Sequence, residues 1–333
     1  MKRSQTQDAQ EQNELILQKA GELGITGSRL IPGSEELLEL SYKGRTIIIN
    51  RTRSHKMPLM AGLLAQNKQA SNQLFEREGL PVPAYAVIEQ MGREAISFLF
   101  EQGTIVVKPL DRSRSIGVTL RVSSEEELER AVAEALRHSK KAMLQKYVEG
   151  FDYRVLVVAG QAIGALEYRP AVIEGDGDST IQQLVERLNA RQAARGEASA
   201  RGSFSPIDLT AEPLPELLEK AGKRADSVLA RGERWEMFAG GSIAANEVSE
   251  IPIDRTLELH PDNAAIAVRA AAAIHLDVAG VDLRCRDLSQ PLGGDNGGII
   301  EVNALPDMVD PYLLFRHRSV DVFELYLRYL FEE

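Results

Sequence analysis

Two apolar stretches near the C-terminus, AGVDLRCRD (residues 279–287) and GGIIEVNALP (residues 297–306), each carry an isolated acidic side chain. Both predict β-strands, in which successive side chains point to opposite faces. Glu301 and Asn303 therefore share one face of their strand, and Asp282 points away from its apolar neighbours. Oxygen ligands of this kind suit Mg²⁺, although Asp and Asn are also common as turn residues at strand ends.

Two lysines earlier in the sequence favour a phosphate-binding role for these acidic strands over the interpretation of Asp and Asn as turn residues at strand ends. Lys108 ends the apolar strand TIVVKPL (residues 104–110), where its ammonium suits a nucleotide phosphate. Lys68 begins a short predicted helix, and a solvent-exposed lysine is the simpler interpretation of that position taken alone. The following turn, DRSRSIGVTL (residues 111–120), contains Gly117, and backbone N–H groups near it suit a phosphate oxygen.

Helices and strands follow one another at irregular intervals, which indicates an α/β (α+β) fold. We predict a helix over residues 8–22, a β-hairpin about Lys43-Gly44 and a helix opened by the capping box of Ser124 and Glu127.

The middle of the chain predicts one further helix and a loop. The helix begins at Thr180, and its predicted inner face consists of Ile181, Leu184, Val185 and Leu188. Residues 192–232 are polar, contain short possible helices and predict a long mobile loop.

The amino-acid composition and the net charge limit the partners and the cellular location that we expect. The chain has 333 residues, of which 44% are hydrophobic and 26% charged, with a formal net charge of −10. Such an acidic surface repels nucleic acid. The single cysteine, Cys285, fits a reducing compartment. The sequence contains neither an apolar run long enough to predict a membrane span nor an N-terminal apolar signal core. We therefore expect a cytoplasmic protein with neither a nucleic acid nor a membrane partner.

The order of the motifs resembles the ATP-grasp superfamily, in particular the ATP-grasp domains of cyanophycin synthetase and bifunctional glutathione synthetase. The resemblance implies an ATP-grasp fold, with the nucleotide held between two α+β subdomains beside a smaller N-terminal domain. The domains expected from it are residues 1–90, 91–165 and 166–333. The segments that carry it are NKQASNQLFEREGLPVP (67–83), IVVKPLDRSRSIGVTL (105–120), LQKYVEGFDYRVLVVAGQAIGALEYRPA (144–171), VIEGDGDSTIQQLVERLN (172–189), HPDN (260–263), AGVDLRCRD and GGIIEVNALP.

The resemblance also implies a role for each matching residue. The implied nucleotide-binding positions are Lys68, Lys108, Ser115, Gly117, Gln145, Lys146, Val148 and Asp152. Among these, Lys68 and Lys108 bind phosphates, the 145–148 segment holds adenine largely through backbone groups, and Asp152 binds ribose. The implied metal ligands are Asp282, Glu301 and Asn303, and the implied catalytic residues are Arg154 and Arg169. A structural ion pair is the alternative role for both arginines.

The implied activity is that of an ATP-dependent ligase that joins a small-molecule carboxylate to an amine through an acyl phosphate. ATP and two Mg²⁺ ions are the implied cofactors, with Mn²⁺ as an alternative metal, and a homodimer or larger homo-oligomer fits the resemblance. Glutathione synthetase-like tripeptide ligation and phosphotransfer to a small molecule are the alternatives. The intact acidic set argues against a non-catalytic nucleotide-binding regulator.

Two segments depart from the family pattern. The phosphate turn carries Arg112 and Arg114 where relatives are richer in glycine. The stretch RGERWEMFAGGSIAANE (residues 231–247) keeps Gly240-Gly241 but places Trp235 and its neighbours before them. This difference leaves the acceptor site and the product open, and we expect a stand-alone ligase whose product is not cyanophycin.

Overall fold

The computed structural model describes residues 5–112, 116–193, 206–211, 214–237 and 250–332. Within them the strands form a three-stranded, a four-stranded, a five-stranded and a two-stranded sheet. The strands are β1 (Thr26–Arg29), β2 (Leu38–Tyr42), β3 (Arg45–Ile49), β4 (Tyr85–Ile88), β5 (Ile105–Pro109), β6 (Thr119–Val122), β7 (Ala142–Lys146), β8 (Phe151–Val158), β9 (Gln161–Pro170), β10 (Val172–Glu174), β11 (Arg234–Glu236), β12 (Glu250–Asp254), β13 (Val278–Cys285) and β14 (Gly297–Asn303). The α-helices are α1 (Gln5–Glu22), α2 (Leu59–Gln66), α3 (Lys68–Arg77), α4 (Arg93–Gln102), α5 (Glu125–His138), α6 (Ile181–Ala193), α7 (Leu214–Lys220), α8 (Pro261–Ala273), α9 (Val309–Phe315) and α10 (Val322–Phe331).

The N-terminal sheet has the antiparallel order β1-β2-β3. Lys43 and Gly44 join β2 to β3 with φ angles of 47° and 80°, the positive values that tight hairpin turns need. Helix α1 packs against β1 and α10, with Ile16 and Ala20 fully buried. The predicted hairpin and the predicted first helix are both confirmed.

The four-stranded sheet has the order β4-β7-β5-β6, so β7 and β5 are its inner strands. Helices α4 and α5 cover it with a buried apolar cluster. The Ser124 hydroxyl accepts the Glu127 N–H at 3.3 Å, and the Glu127 carboxylate accepts the Ser123 N–H at 2.8 Å. The predicted start of α5 is confirmed, with the return bond one residue earlier than a standard capping box places it.

The five-stranded sheet has the order β12-β9-β8-β13-β14. Val155 and Val281 pack toward α8 in one apolar cluster. Leu156 and Val278 point the other way, into the cluster formed with α10. Because side chains alternate along a strand, Arg154 and Asp282 lie on this second face of the sheet.

A small unit is built from β10, β11, α6 and α7. The predicted inner face of α6 is confirmed, because Ile181, Leu184, Val185 and Leu188 are all buried with Trp235 in one apolar cluster. Within residues 192–232 one of the short possible helices is confirmed, and the mobility of the segment stays a prediction. Helix α7 lies within it, and Leu214, Leu218 and Leu229 anchor the segment to this cluster, whereas residues 194–205 and 212–213 lie outside the described part of the chain.

The sheets bear on the expected domain bounds. The chain passes from the three-stranded to the four-stranded sheet between β3 and β4, and from the four-stranded to the five-stranded sheet between β7 and β8. The expected bound at residue 90 follows β4, and the one at residue 165 falls within β9, which pairs with β8 along most of its length. The sheets thus favour division before β4 and after β7, and the three-domain organisation stays a prediction.

Candidate active site

Asp282, Arg154 and Glu301 lie side by side on three neighbouring strands. Asp282 on β13 is the register partner of Arg154 on β8 and of Glu301 on β14. Arg154 donates from Nε to Asp282 Oδ1 at 2.6 Å and from Nη2 to Oδ2 at 2.8 Å. Asn303 Nδ2 donates to Asp282 Oδ2 at 2.9 Å and to Glu301 Oε1 at 3.4 Å. The structure therefore brings the three predicted metal ligands together with one predicted catalytic arginine.

This side-chain set fits a hard divalent cation. Two carboxylates and one amide oxygen are suitable ligands for Mg²⁺, which usually completes its coordination with water and substrate phosphates. Asn303 now presents Nδ2 to both acids, so its amide has to rotate to offer Oδ1 to a cation. Among the described residues, no cluster of three or more His, Cys, Asp and Glu side chains could hold a metal. The fit therefore depends on Asn303 and on oxygen ligands from a substrate.

Both predicted phosphate lysines reach the same cleft. Lys68 Nζ lies 3.7 Å from Glu301 Oε2 and donates to the Arg112 carbonyl oxygen at 2.6 Å. Lys108, at the end of β5, is only 7% exposed, and its Nζ donates to Gln145 Oε1 at 2.8 Å. Lys108 on β5 and Lys68 at the start of α3 thus face the acids of β13 and β14.

Charge across this cleft changes the pKa of its groups. Burial opposes ionisation of Glu301, but Lys68, Lys108 and Arg154 outweigh it and hold the carboxyl pKa below its usual value. Burial also lowers the pKa of Lys108 to about 8, against the attraction of Glu301. Burial raises the pKa of Asp282, and the Arg154 guanidinium offsets part of that rise.

The phosphate turn is only partly described. Gly117 has a φ of 68°, and a Cβ there would lie 2.7 Å from His138 Cδ2 and 2.9 Å from Pro109 Cγ. Arg112 donates from Nε to the His138 carbonyl oxygen at 2.6 Å, so this side chain ties the turn to the end of α5. The predicted nucleotide ligand Ser115 lies outside the described residues, as does Arg114.

The predicted adenine segment connects the two larger sheets. Lys146 ends β7, and its N–H bonds the Ala84 carbonyl oxygen at 2.8 Å. Arg284 holds the segment from β13, because its Nε donates to the Val148 carbonyl oxygen at 2.7 Å and its Nη1 to Asp152 Oδ2 at 2.6 Å. The side chains of Asp152 and Arg284 extend the polar row of Asp282 along the same sheet face. Val148 and Asp152 thus contact the same guanidinium, and their roles in binding base and ribose stay predictions.

Arg169 does not join Arg154. It lies on β9 two residues from Glu167, on the face opposite Arg154, and its guanidinium makes two hydrogen bonds to the Glu167 carboxylate. Arg255 Nε also bonds Glu167, at 2.8 Å. The side chain of Arg169 is 46% exposed and stacks on Phe151 with 5.5 Å between the guanidinium carbon and the ring centre. Its partner Glu167 is buried, so Arg169 is a half-exposed member of a structural ion pair and its catalytic role stays a prediction.

Known proteins match this chain along most of its length. A family model described as D-ala D-ala ligase C-terminus matches residues 74–181. Cyanophycin synthetase from Trichormus variabilis is 33% identical over 295 residues, which are 88% of this chain and 32% of that protein. The glutathione biosynthesis bifunctional protein from Pasteurella multocida is 27% identical over 281 residues, 81% of this chain and 36% of that protein.

The solved structure of a bifunctional glutathione synthetase from Pasteurella multocida superimposes with a TM-score of 0.69 and 23% identity, over 96% of this chain and 44% of that one. The chain therefore has the ATP-grasp fold. The resemblance and the fold expected from the sequence are thereby confirmed. This ATP-grasp chain spans about a third of the length of the curated relatives that it matches.

Residues of the ATP-grasp cleft that we did not single out from the sequence include Arg284, Glu250 and Asp307. Strand alternation in AGVDLRC could have found Arg284, which shares the face of Asp282. Glu250 on β12 and Asp307 before α9 are both influenced by Arg154, and burial raises the pKa of each to about 7. No pattern in the sequence indicates that these two acids approach the cleft.

The described helices of this ATP-grasp chain also bear on membrane association. None of them combines the length and the apolar composition that a membrane span needs.

Proposed function

We propose that this ATP-grasp chain is an ATP-dependent carboxylate–amine ligase that forms an amide bond through an acyl phosphate. The observation that supports it most is the convergence of Asp282, Glu301 and Asn303 on one sheet face, with Lys68 and Lys108 opposite them. Positive and negative groups in one cleft suit a nucleotide phosphate accompanied by a divalent cation. The names of the relatives, which are synthetases and ligases, favour amide formation over phosphotransfer.

In this proposal the chain aligns ATP and neutralises its phosphates. Lys108 and Lys68 bind phosphate oxygens, and the 145–148 segment with Asp152 holds the nucleoside. Asp282, Glu301 and Asn303 would hold two Mg²⁺ ions, which would stabilise the charge that develops on the phosphates. Lys68 is already within reach of Glu301, so a nucleotide has to replace or share this contact.

The reaction proceeds in two steps. A substrate carboxylate oxygen attacks the γ-phosphorus, the bond to the β-phosphate bridging oxygen breaks, and ADP leaves with that electron pair. The amine then attacks the acyl carbon, inorganic phosphate leaves, and the nitrogen loses a proton. Arg154 carries a fixed positive charge at the centre of the sheet face and suits the negative oxygen of the tetrahedral intermediate.

Hydroxylamine trapping tests the acyl phosphate. The chain is incubated with ATP, Mg²⁺ and a panel of amino acids and dipeptides, with and without an added amine, and ADP, phosphate and product mass are measured. We expect amine-dependent ADP release and a hydroxamate when hydroxylamine replaces the amine. Lys108→Met should abolish both signals, whereas Lys140→Met, at an exposed position on the surface, should not. A phosphorylated product without hydroxamate would contradict ligation and favour a kinase.

Gly117→Ala tests the phosphate turn. Alanine at a φ of 68° costs roughly 1 kcal/mol, and its Cβ crowds His138 and Pro109. We expect the KM for ATP to rise about five- to tenfold with little change in the unfolding midpoint, because the strain falls on a local turn.

The matched control is Gly160→Ala in the turn between β8 and β9. Its φ is 73°, and no atom lies within 4 Å of the added Cβ. It carries the same backbone cost away from the cleft, so its KM for ATP should match that of the wild type. An equal KM in both variants would show that the conformation at Gly117 has no part in nucleotide binding.

A further inference from the structure

The ammonium of Lys108 is held by an uncharged side chain. Lys108 is 7% exposed, and within the described residues its Nζ forms no ion pair and donates to Gln145 Oε1 at 2.8 Å. The charged groups that act on it are Glu301 on β14, which attracts it, and Lys68 on α3, which repels it. An ammonium has three protons to donate, so the contact with Gln145 fixes its direction and leaves protons for another acceptor.

The amide of Gln145 has a defined orientation. Because an ammonium only donates, Oε1 must face Lys108, and Nε2 must point away from it. Gln145 is 3% exposed, and its buried Nε2 has no hydrogen-bond partner among the described residues. Buried donors without a partner are rare in folded proteins. A donor left in this state next to a ligand cleft indicates an acceptor that arrives with the ligand.

Gln145 lies between the proposed base-binding segment and the proposed phosphate-binding lysine. It lies on the inner strand β7, paired with Val106 on β5 and Tyr85 on β4. Immediately after it comes the 146–148 segment proposed to hold the base, and across from it is the proposed phosphate lysine. One side chain thus contacts the phosphate-binding group at one end and has a free donor at the other.

We propose that Gln145 is a positioning residue that directs the Lys108 ammonium toward the nucleotide phosphates and donates from Nε2 to an acceptor atom of the nucleotide. This role rests on the proposed function, since it needs a nucleotide in the cleft. An amide suits it better than a carboxylate. A carboxylate at this position would pair with Lys108 and compete with phosphate for its charge.

Nucleotide binding measured by calorimetry tests this role without any ligation substrate. The probes are ADP and ATP with Mg²⁺, and the variants are Gln145→Met, which keeps the length of the side chain, and Gln145→Glu, which keeps its shape and its acceptor. We expect Gln145→Met to weaken binding about ten- to a hundredfold, since it loses hydrogen bonds to charged groups. Gln161→Met, at the exposed turn between β8 and β9, is the matched control and should bind as the wild type does.

The pH profile separates positioning from a structural role. Lys108 loses its proton as the pH rises through about 8, so the wild type should lose about tenfold in affinity between pH 7 and pH 9. In Gln145→Glu the new carboxylate raises the pKa of Lys108, so the affinity should change less than twofold over that range. A flat profile in Gln145→Glu shows that residue 145 acts on the ammonium that binds the nucleotide, and the weaker binding of Gln145→Met shows that the native amide contributes through that contact. Circular dichroism confirms that each variant is folded.

Two results would overturn the inference in different ways. If the wild type binds neither nucleotide, the proposed function fails and the role of Gln145 fails with it. If the wild type binds nucleotide and both Gln145 variants match it in affinity and in pH profile, the positioning role alone is wrong.

Discussion

Arg154→Met is expected to lower the free energy of unfolding by about 2–4 kcal/mol. The substitution leaves Asp282 in the sheet without the guanidinium that now donates two hydrogen bonds to it, and removing one partner of a buried ion pair costs about 3–5 kcal/mol. The expected loss is smaller than that of a fully buried pair because 32% of the Arg154 side chain is exposed. Urea unfolding at pH 7, followed by circular dichroism, measures it.

Arg169→Met is the matched control. This arginine also makes a bidentate contact with an acid, but it is 46% exposed and Glu167 keeps its second partner, Arg255. We expect a loss below about 1 kcal/mol. Equal losses of unfolding free energy in the two variants would mean that the position of Arg154 on the sheet does not determine how much it stabilises the fold.

The effect of Mg²⁺ on stability gives a second comparison of Arg154→Met with Arg169→Met. If Asp282 and Glu301 bind a cation, Mg²⁺ should raise the unfolding midpoint of Arg154→Met more than that of the wild type, because the cation takes the place of the missing positive charge. Arg169→Met should respond as the wild type does. No difference between the two responses would count against a metal site at Asp282.

The shared face of Glu301 and Asn303 could be predicted because strand alternation determines which side chains of one strand point the same way, whereas Asp282 joins them through the register between β13 and β14. The contact between Arg154 and Asp282 could not, since the two residues are 128 positions apart and their pairing depends on the register between β8 and β13. The same holds for Lys108 and Gln145, which meet across two neighbouring strands.

Other features of the structure could not be predicted because the average composition of a segment does not show which of its side chains are buried. The segment 192–232 is polar on average, yet Leu214, Leu218 and Leu229 are spaced so that they reach one apolar cluster. Trp235, in the stretch that departs from the family pattern, is buried in that cluster. The face of Arg169 also escaped prediction, because alternation says which residues share a face but not which face lines the cleft.

Glu301→Gln is expected to lower the turnover number about a thousandfold. The substitution keeps the shape of the side chain but removes the charge that contacts Lys68 and that the proposed divalent cation requires. Loss of a charged metal ligand is worth several kcal/mol of transition-state stabilisation, and about 4 kcal/mol corresponds to a factor of a thousand in rate. ATP-dependent phosphate release with saturating substrates measures it.

The fold should survive this change. The contact between Lys68 and Glu301 spans 3.7 Å, and the Glu301 side chain is 31% exposed, so its loss costs less than about 1 kcal/mol. Glu129→Gln, at an exposed position of α5, is the matched control and should keep full activity. The divalent cation requirement gives an independent readout, because Mn²⁺ binding followed by electron paramagnetic resonance should weaken in Glu301→Gln and not in the control. Retained turnover together with unchanged Mn²⁺ binding would remove Glu301 from the mechanism, since a carboxylate that holds the metal cannot lose its charge without affecting both.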